Sequence, residues 1–221
     1  MEHQNFKYSR RVIGFPAFVI LLLWIIYFIE IKFGYNFNKF GIYPQKLSGL
    51  KGIFFSPFIH SSAKHLFNNS IPLFVMMVSL YYFYNKIATK VLIYGLIFSG
   101  LLTWSFARPS YHIGASGVVY LLVSFIFFSG TFRKYYRLTA LSLIVVFLYG
   151  GMVWYIFPTE GRISWEGHLA GFLVGFIFAF LYRKLGPQPE QFEFSKNEEF
   201  ENLFDEEGNF NPPEEERYSE D

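Results

Sequence analysis

The chain has 221 residues, of which 52% are hydrophobic and only 16% charged, against about 25% charge in an ordinary soluble domain. Its 30 Phe and 16 Tyr are more apolar bulk than a single water-surrounded core of this size readily hides, so the composition points to lipid as solvent. With no Cys there is no disulfide framework and no thiolate metal site, and the net charge of +2 is spread as single cations at the ends of apolar runs, which argues against nucleic-acid binding.

Residues 1–11 form a short basic lead with Lys7, Arg10 and Arg11. Spanning a hydrocarbon core takes about 20 apolar residues, and six stretches qualify. They run from Val12 to Ile31, His65 to Tyr84, Val91 to Ala107, Gly114 to Ser129, Leu138 to Phe157 and His168 to Leu185. The first lacks a small-residue cleavage site and reads as an uncleaved anchor. Between the first two spans, Phe33 to Ile59 mixes Gly, Pro, Asn and Lys with aromatic residues, the composition of a long structured loop at the membrane interface.

In the short connections Lys86, Lys90, Arg133, Lys134, Arg137, Arg183 and Lys184 fall on the side of the basic lead. That side is expected to be cytoplasmic, with both termini on it. Residues 187–221 are acidic, contain Pro and carry few aliphatic side chains, which predicts a disordered cytoplasmic tail or a docking segment. The expected organisation is therefore a lead at 1–11, a six-span domain at 12–186 and a tail at 187–221. No internal repeat is apparent, which disfavours a transporter built on duplicated halves.

Polar residues inside hydrocarbon are costly and default to function. Three clusters qualify. In the first, His60 precedes His65 and Asn69, which lie four apart and share a face of the second span; such residues also serve as polar helix starts. In the second, Gly114-Ala115-Ser116-Gly117 places a Ser among small residues at the head of the fourth span, with Tyr120 one turn deeper. Small residues also pack helices, but a Ser at a helix start has free backbone N–H groups beside it that can receive an oxyanion. In the third, His168 heads the sixth span and is followed by Gly171 and Gly175, a small face that admits a neighbouring helix. All three clusters fall at the outer end of their spans, where they supply a hydroxyl, an imidazole and oxyanion donors.

Together, Gly114-Ala115-Ser116-Gly117, His60 and His65 with Asn69, and Gly167-His168 with Gly171 resemble the signature motifs of rhomboid intramembrane proteases, over roughly residues 10 to 185. The resemblance implies an all-α membrane protein, six transmembrane helices in a rhomboid-like bundle. It also implies a Ser–His dyad in which Ser116 attacks a peptide carbonyl and His168 takes its proton, with Glu166 outside it. By the same carry-over Asn69 and His65 join the Ser116 N–H in an oxyanion hole lined by Gly114. His60 supports that pocket, and Tyr120 packs against the base.

The expected substrates are single-span membrane proteins cut near the outer surface, in a bacterial inner membrane, with no cofactor and no metal. The fifth span, with Gly150 and Gly151, and the loop from Pro158 to Gly167 are the expected gate and cap. The first loop departs from some members of the family, with Gly41-Ile42-Tyr43-Pro44 and no Trp-Arg pair. The alternatives are a catalytically inactive relative that binds membrane-protein clients, a His-based zinc hydrolase on His60, His65 and His168 lacking an HExxH pattern, and a channel or transporter.

Overall fold

The computed structural model describes residues 8–158, 163–189 and 197–211. Helix α1 (Arg10–Phe33) ends where Gly34 turns into the left-handed region at φ 65° and its N–H bonds back to the last turn. One flank leans on α3 (Ala63–Phe83), with Trp24 Nε1 donating to Ser70 Oγ at 3.2 Å, while Phe18, Leu21, Phe28 and Ile31 stand exposed on the other. An exposed apolar face of this kind is what a helix presents to acyl chains.

The loop that follows is built of 3-10 turns at Asn38–Phe40, Leu47–Gly49 and Ser56–Phe58 and the single-turn helix α2 (Gly52–Phe55). It is tied to the body by the antiparallel bridge of Ile42 with His112. Gln45 N–H donates to the Trp104 carbonyl and Trp104 Nε1 to the Lys46 carbonyl. Phe33, Tyr35, Phe37, Phe40 and Phe55 form a chain of ring contacts, and Lys39 and Lys51 lie over the Phe40 ring, an aromatic and cationic mix suited to a headgroup layer.

Helix α3 is started by Ser62, whose Oγ accepts the His65 N–H at 3.1 Å. It is followed by α4 (Ala88–Phe106), α5 (Ser116–Arg133), α6 (Tyr136–Tyr149) and α7 (Trp165–Leu181). Helix α5 is the axis of the bundle and the most enclosed of the long apolar helices. Its tightest partner is α7. A Cβ on Gly171 would collide with the Gly117 carbonyl and one on Gly175 with the Leu121 carbonyl, so small residues let the two backbones meet. Ser124 Oγ donates to the Phe172 carbonyl at 2.7 Å across the same seam.

At the other end of α5, Arg133 is buried and donates to Ser129 Oγ and to the carbonyls of Tyr182, Arg183 and Pro187. It thereby ties the end of α5 to carbonyls just beyond the end of α7. The chain is thus an all-α bundle of long apolar helices, a multi-pass membrane architecture. Four helices, α1, α3, α4 and α5, and the segment Tyr136–Ile156 are long and apolar enough to cross a bilayer, while α7 is an apolar helix of 17 residues.

Where bounds differ from the sequence reading, the reason is local. The fourth span begins at Ser116 because Gly114 has φ 108° and cannot be helical. The fifth is α-helical only to Tyr149 and continues as a 3-10 segment, Gly150–Ile156. The chain divides into two compact units, Met1–Pro189 and Glu190–Asp221. In the second, the described residues hold the short helix α8 (Glu198–Glu201) and a bridge of Phe204 with Phe210. Between these two residues the Asp205 carboxylate accepts the N–H groups of Glu207 and Asn209, bonds that hold its carboxyl below the usual range. The expected lead at residues 1–7, part of the expected cap at 159–162, and 190–196 and 212–221 of the expected tail lie outside the described residues.

Candidate active site

Three helix starts meet at one end of the bundle. The positive φ of Gly114 swings the chain so that Ser116 becomes the first residue of α5. A side chain at 114 would also strike the ring of His65, 2.8 Å from its Cε1 and Nε2, and would touch Asn69 Nδ2 at 3.4 Å. Glycine at 114 therefore answers both a backbone and a space requirement.

His168 lies in the first turn of α7, and the glycine seam below it draws the ring to α5. Its Nε2 lies 2.9 Å from Ser116 Oγ, and its Nδ1 lies 3.0 Å from the Tyr155 carbonyl oxygen. A carbonyl can only accept, so the neutral ring carries its proton on Nδ1 and leaves Nε2 free to accept from the serine hydroxyl. The Tyr120 ring stacks on the imidazole with centroids 4.3 Å apart and planes 13° from parallel. Its hydroxyl donates to the Met152 carbonyl at 2.8 Å.

Helix α3 brings His65 and Asn69 to the same place. Asn69 is buried and its Nδ2 has no hydrogen-bond partner, an open donor beside Gly114 of the kind normally kept for a ligand or water. His65 Nδ1 pairs with Ser61 Oγ at 3.2 Å, and its ring meets that of His60 edge-on at 5.1 Å. His60, just before α3, accepts the Ala115 N–H on Nε2 at 3.4 Å. Its burial, and to a lesser extent the neighbouring His65, lower its pKa from 6.5 to about 4, so it is a neutral prop under the α5 start.

Ser116, Tyr120, His65, Asn69 and His168 all line one cavity of about 1130 Å³, which Met152 and Tyr155 also border. A small chamber of about 40 Å³ lies on the other side of Ser116 among Ser99, Thr103, His112 and Gly167.

The sequence reading did not find a polar clasp behind His168. Glu166 is 2% exposed and pairs with Arg108 Nε at 3.4 Å, accepting the Arg108 N–H as well. Arg108 also donates to the Ile163 carbonyl, and His112 bonds Ser164 through Nδ1 and the Arg108 carbonyl through Nε2. Burial lowers the His112 pKa, partly offset by its bond to that carbonyl. Apart from the bond of His112 to the Arg108 carbonyl, the partners lie more than 50 positions apart, so no local pattern announces the clasp; a lone acid in the first turn of an apolar helix was the available signal. Among the described residues no group of three or more His, Asp or Glu side chains is placed to hold a metal ion.

The sequence profile of the Rhomboid domain matches residues 48–185, which contain every candidate site residue. A Mycobacterium tuberculosis protein (strain H37Rv) is 32% identical over 191 residues, covering 80% of this chain and 79% of its own. A Mycobacterium bovis protein matches with the same figures. One from Mycobacterium leprae is 31% identical over 172 residues, 72% of this chain and 67% of its own.

Proposed function

This chain belongs to the rhomboid family, and on that premise we propose that it is an intramembrane serine endopeptidase that cuts single-span membrane proteins. The observation that carries the reading is the arrangement of one imidazole: Nε2 at 2.9 Å from Ser116 Oγ and Nδ1 held by a carbonyl at 3.0 Å. In a serine hydrolase the base must be fixed in that tautomer, a task a carboxylate performs in triads; here the Tyr155 carbonyl and the stacked Tyr120 stand in its place.

His168 takes the Ser116 proton as Oγ attacks the peptide carbonyl, and later returns it to the leaving amine. The oxyanion forms beside the Ser116 N–H at the open start of α5, with the unpaired Asn69 amide and His65 as further donors. An acyl-enzyme on Ser116 is then hydrolysed by water from the large cavity. Glu166 faces Arg108 and acts at a distance, as a fixed anion behind the base helix.

On this reading α7 is the sixth span; at ~1.5 Å per residue it is ~25 Å long, short for lipid but sufficient for a helix wrapped by α4 and α5. The basic connections put both termini in the cytoplasm and the catalytic end at the outer face of a bacterial inner membrane. A substrate helix must unwind there, because a helical amide is shielded and already bonded. Cleavage is therefore expected at small or helix-breaking residues near that face, with α6 as the gate.

The test is cleavage of a purified single-span substrate in detergent by the wild-type chain, by Ser116→Ala and by His168→Ala. Each variant should lose cleavage by about 10³-fold or more while keeping the wild-type melting temperature. A folded wild-type protein that binds such substrates without cutting them would replace the protease with a client-binding member of the family.

A further inference from the structure

The grouping that supports His168 is divided between two very different supports. Its backbone, and Ser116, stand on the α5–α7 seam, where helix faces meet through glycine. Its orientation rests there only in part, through the Tyr120 ring of α5 stacked on the imidazole. The acceptor for Nδ1–H is the Tyr155 carbonyl and the acceptor for the Tyr120 hydroxyl is the Met152 carbonyl, and both lie in the 3-10 segment Gly150–Ile156. Gly150 and Gly151 open that segment, and a Cβ on Gly151 would touch nothing within 4 Å. Trp154 is 71% exposed, and Met152, Val153 and Tyr155 are not buried either. The α6 helix before it exposes Leu143, Ile144, Phe147 and Leu148.

We propose that the main-chain carbonyls of Tyr155 and Met152 are the positioning groups of this site, so that a detachable 3-10 strap rather than a fixed side chain holds His168 in its reactive tautomer. The inference rests on the protease reading above, and it deepens that reading by assigning the triad's third role. The chemistry follows from two facts. An imidazole whose Nδ1–H has lost its acceptor redistributes between tautomers, and only one of them can accept from Ser116. A 3-10 turn has weaker internal hydrogen bonds than an α-helix, and this one is packed mainly through Ile156, which is buried, and Met152, which is half-buried, so it has less to hold it than the helices on either side. Any substrate helix that enters by pushing α6 outward draws the strap away from His168, so the base is properly held only after the strap has closed again.

The test weakens a carbonyl without touching a side chain. Replacing Ile156 by its α-hydroxy acid makes the 155–156 linkage an ester, whose carbonyl is a poorer acceptor; the same change at Phe157 is the control. Tyr120→Phe keeps the stacked ring and removes the bond to Met152.

Three readouts are taken on the full chain in detergent: the rate at which a fluorophosphonate labels Ser116, kcat and KM for a single-span substrate, and the ¹⁵N signals of His168. The ester at 156 should slow labelling and kcat about tenfold with KM moved less than twofold, and should turn a pure Nδ1–H spectrum into a tautomer mixture. The ester at 157 should leave all three as they were. Tyr120→Phe should fall between them. Labelling and kcat within twofold of wild type for the ester at 156, with the Nδ1–H signal intact, overturns the proposal. If wild type is neither labelled nor cleaves, the protease reading fails by itself, and the ¹⁵N spectra still decide whether the strap holds the ring.

Discussion

Helices α7 and α6 both lie against α5, but they are held to it over different lengths. Against α7 the contact is backbone to backbone, with Gly117, Gly171 and Gly175 in the seam and Ser124 bonded across it. Against α6 the close approach is confined to its start, where a Cβ on Gly130 would meet the Leu138 carbonyl and Ser142 Oγ donates to the Ile126 and Phe127 carbonyls; further along, Leu143, Ile144, Phe147 and Leu148 are exposed, Phe147 to 88%. A seam closed at both Gly171 and Gly175 fixes the distance between two helices; one closed only at a helix start leaves the other end free to tilt. On the proposed protease reading, a site that holds Ser116 Oγ and His168 Nε2 2.9 Å apart and yet admits a substrate helix needs both, and the two fall to different neighbours of α5.

The strongest way to break this comparison is to load the tight seam. Gly171→Ala places a methyl against the Gly117 carbonyl, and neither backbone can yield without parting α5 from α7. A loss of about 3 kcal/mol is expected, read as a fall in melting temperature in detergent, together with loss of any activity that depends on Ser116 meeting His168. A smaller effect comes from the far end of the seam. Arg133→Met removes a charged donor from the carbonyls of Tyr182, Arg183 and Pro187; the first two keep the Leu185 N–H and Gln188 Nε2, the buried Pro187 carbonyl loses the Arg133 bond, and the change should cost about 2 kcal/mol. The variant should unfold sooner on heating while keeping kcat at low temperature, since no reacting group is touched.

Much of this was legible in the residues. The six apolar runs coincide with α1, α3, α4, α5, α6 with its 3-10 continuation, and α7, of which the first five are long and apolar enough to cross a bilayer, because lipid demands length and leaves little else to read. Gly114 before Ser116 and the 3 and 4 spacings after His168 mark the close approaches, because only glycine tolerates them. The break at Gly150 was not legible as a break: the glycine pair was visible, but whether an apolar run continues as α or 3-10 depends on what packs against it. The Tyr155 and Met152 carbonyls leave no trace in sequence at all, since every residue has one. Glu166 could be seen to stand alone among apolar neighbours, but its partner Arg108 comes from another helix end.

A milder disturbance of the same junction is protonation. The unfolded chain takes up a proton at His60 below about pH 6.5, whereas the folded chain resists it until about pH 4. Between those values the unfolded state binds more protons, so stability falls as pH falls. Wild type should lose up to about 2 kcal/mol more than His60→Asn between pH 7 and pH 5, measured as paired melting curves. Equal losses would mean that His60 does not prop the α5 start as a neutral ring.

The smallest expected effect is the sharpest control on the comparison. Gly151→Ala adds the same methyl as Gly171→Ala, but here it meets nothing within 4 Å and the backbone has no positive φ to relieve. The folded state therefore gains no clash, and the unfolded chain loses some of glycine's freedom, so stability should rise slightly, by about 0.5 kcal/mol. The same stiffening should slow any motion of the strap that follows, so turnover of a helical substrate should fall modestly, by about two- to threefold, while labelling of Ser116 by a small fluorophosphonate stays at the wild-type rate. A destabilisation above about 1 kcal/mol would instead show the 3-10 segment to be packed as closely as the glycine seam, and the division of labour between α6 and α7 would have to be given up.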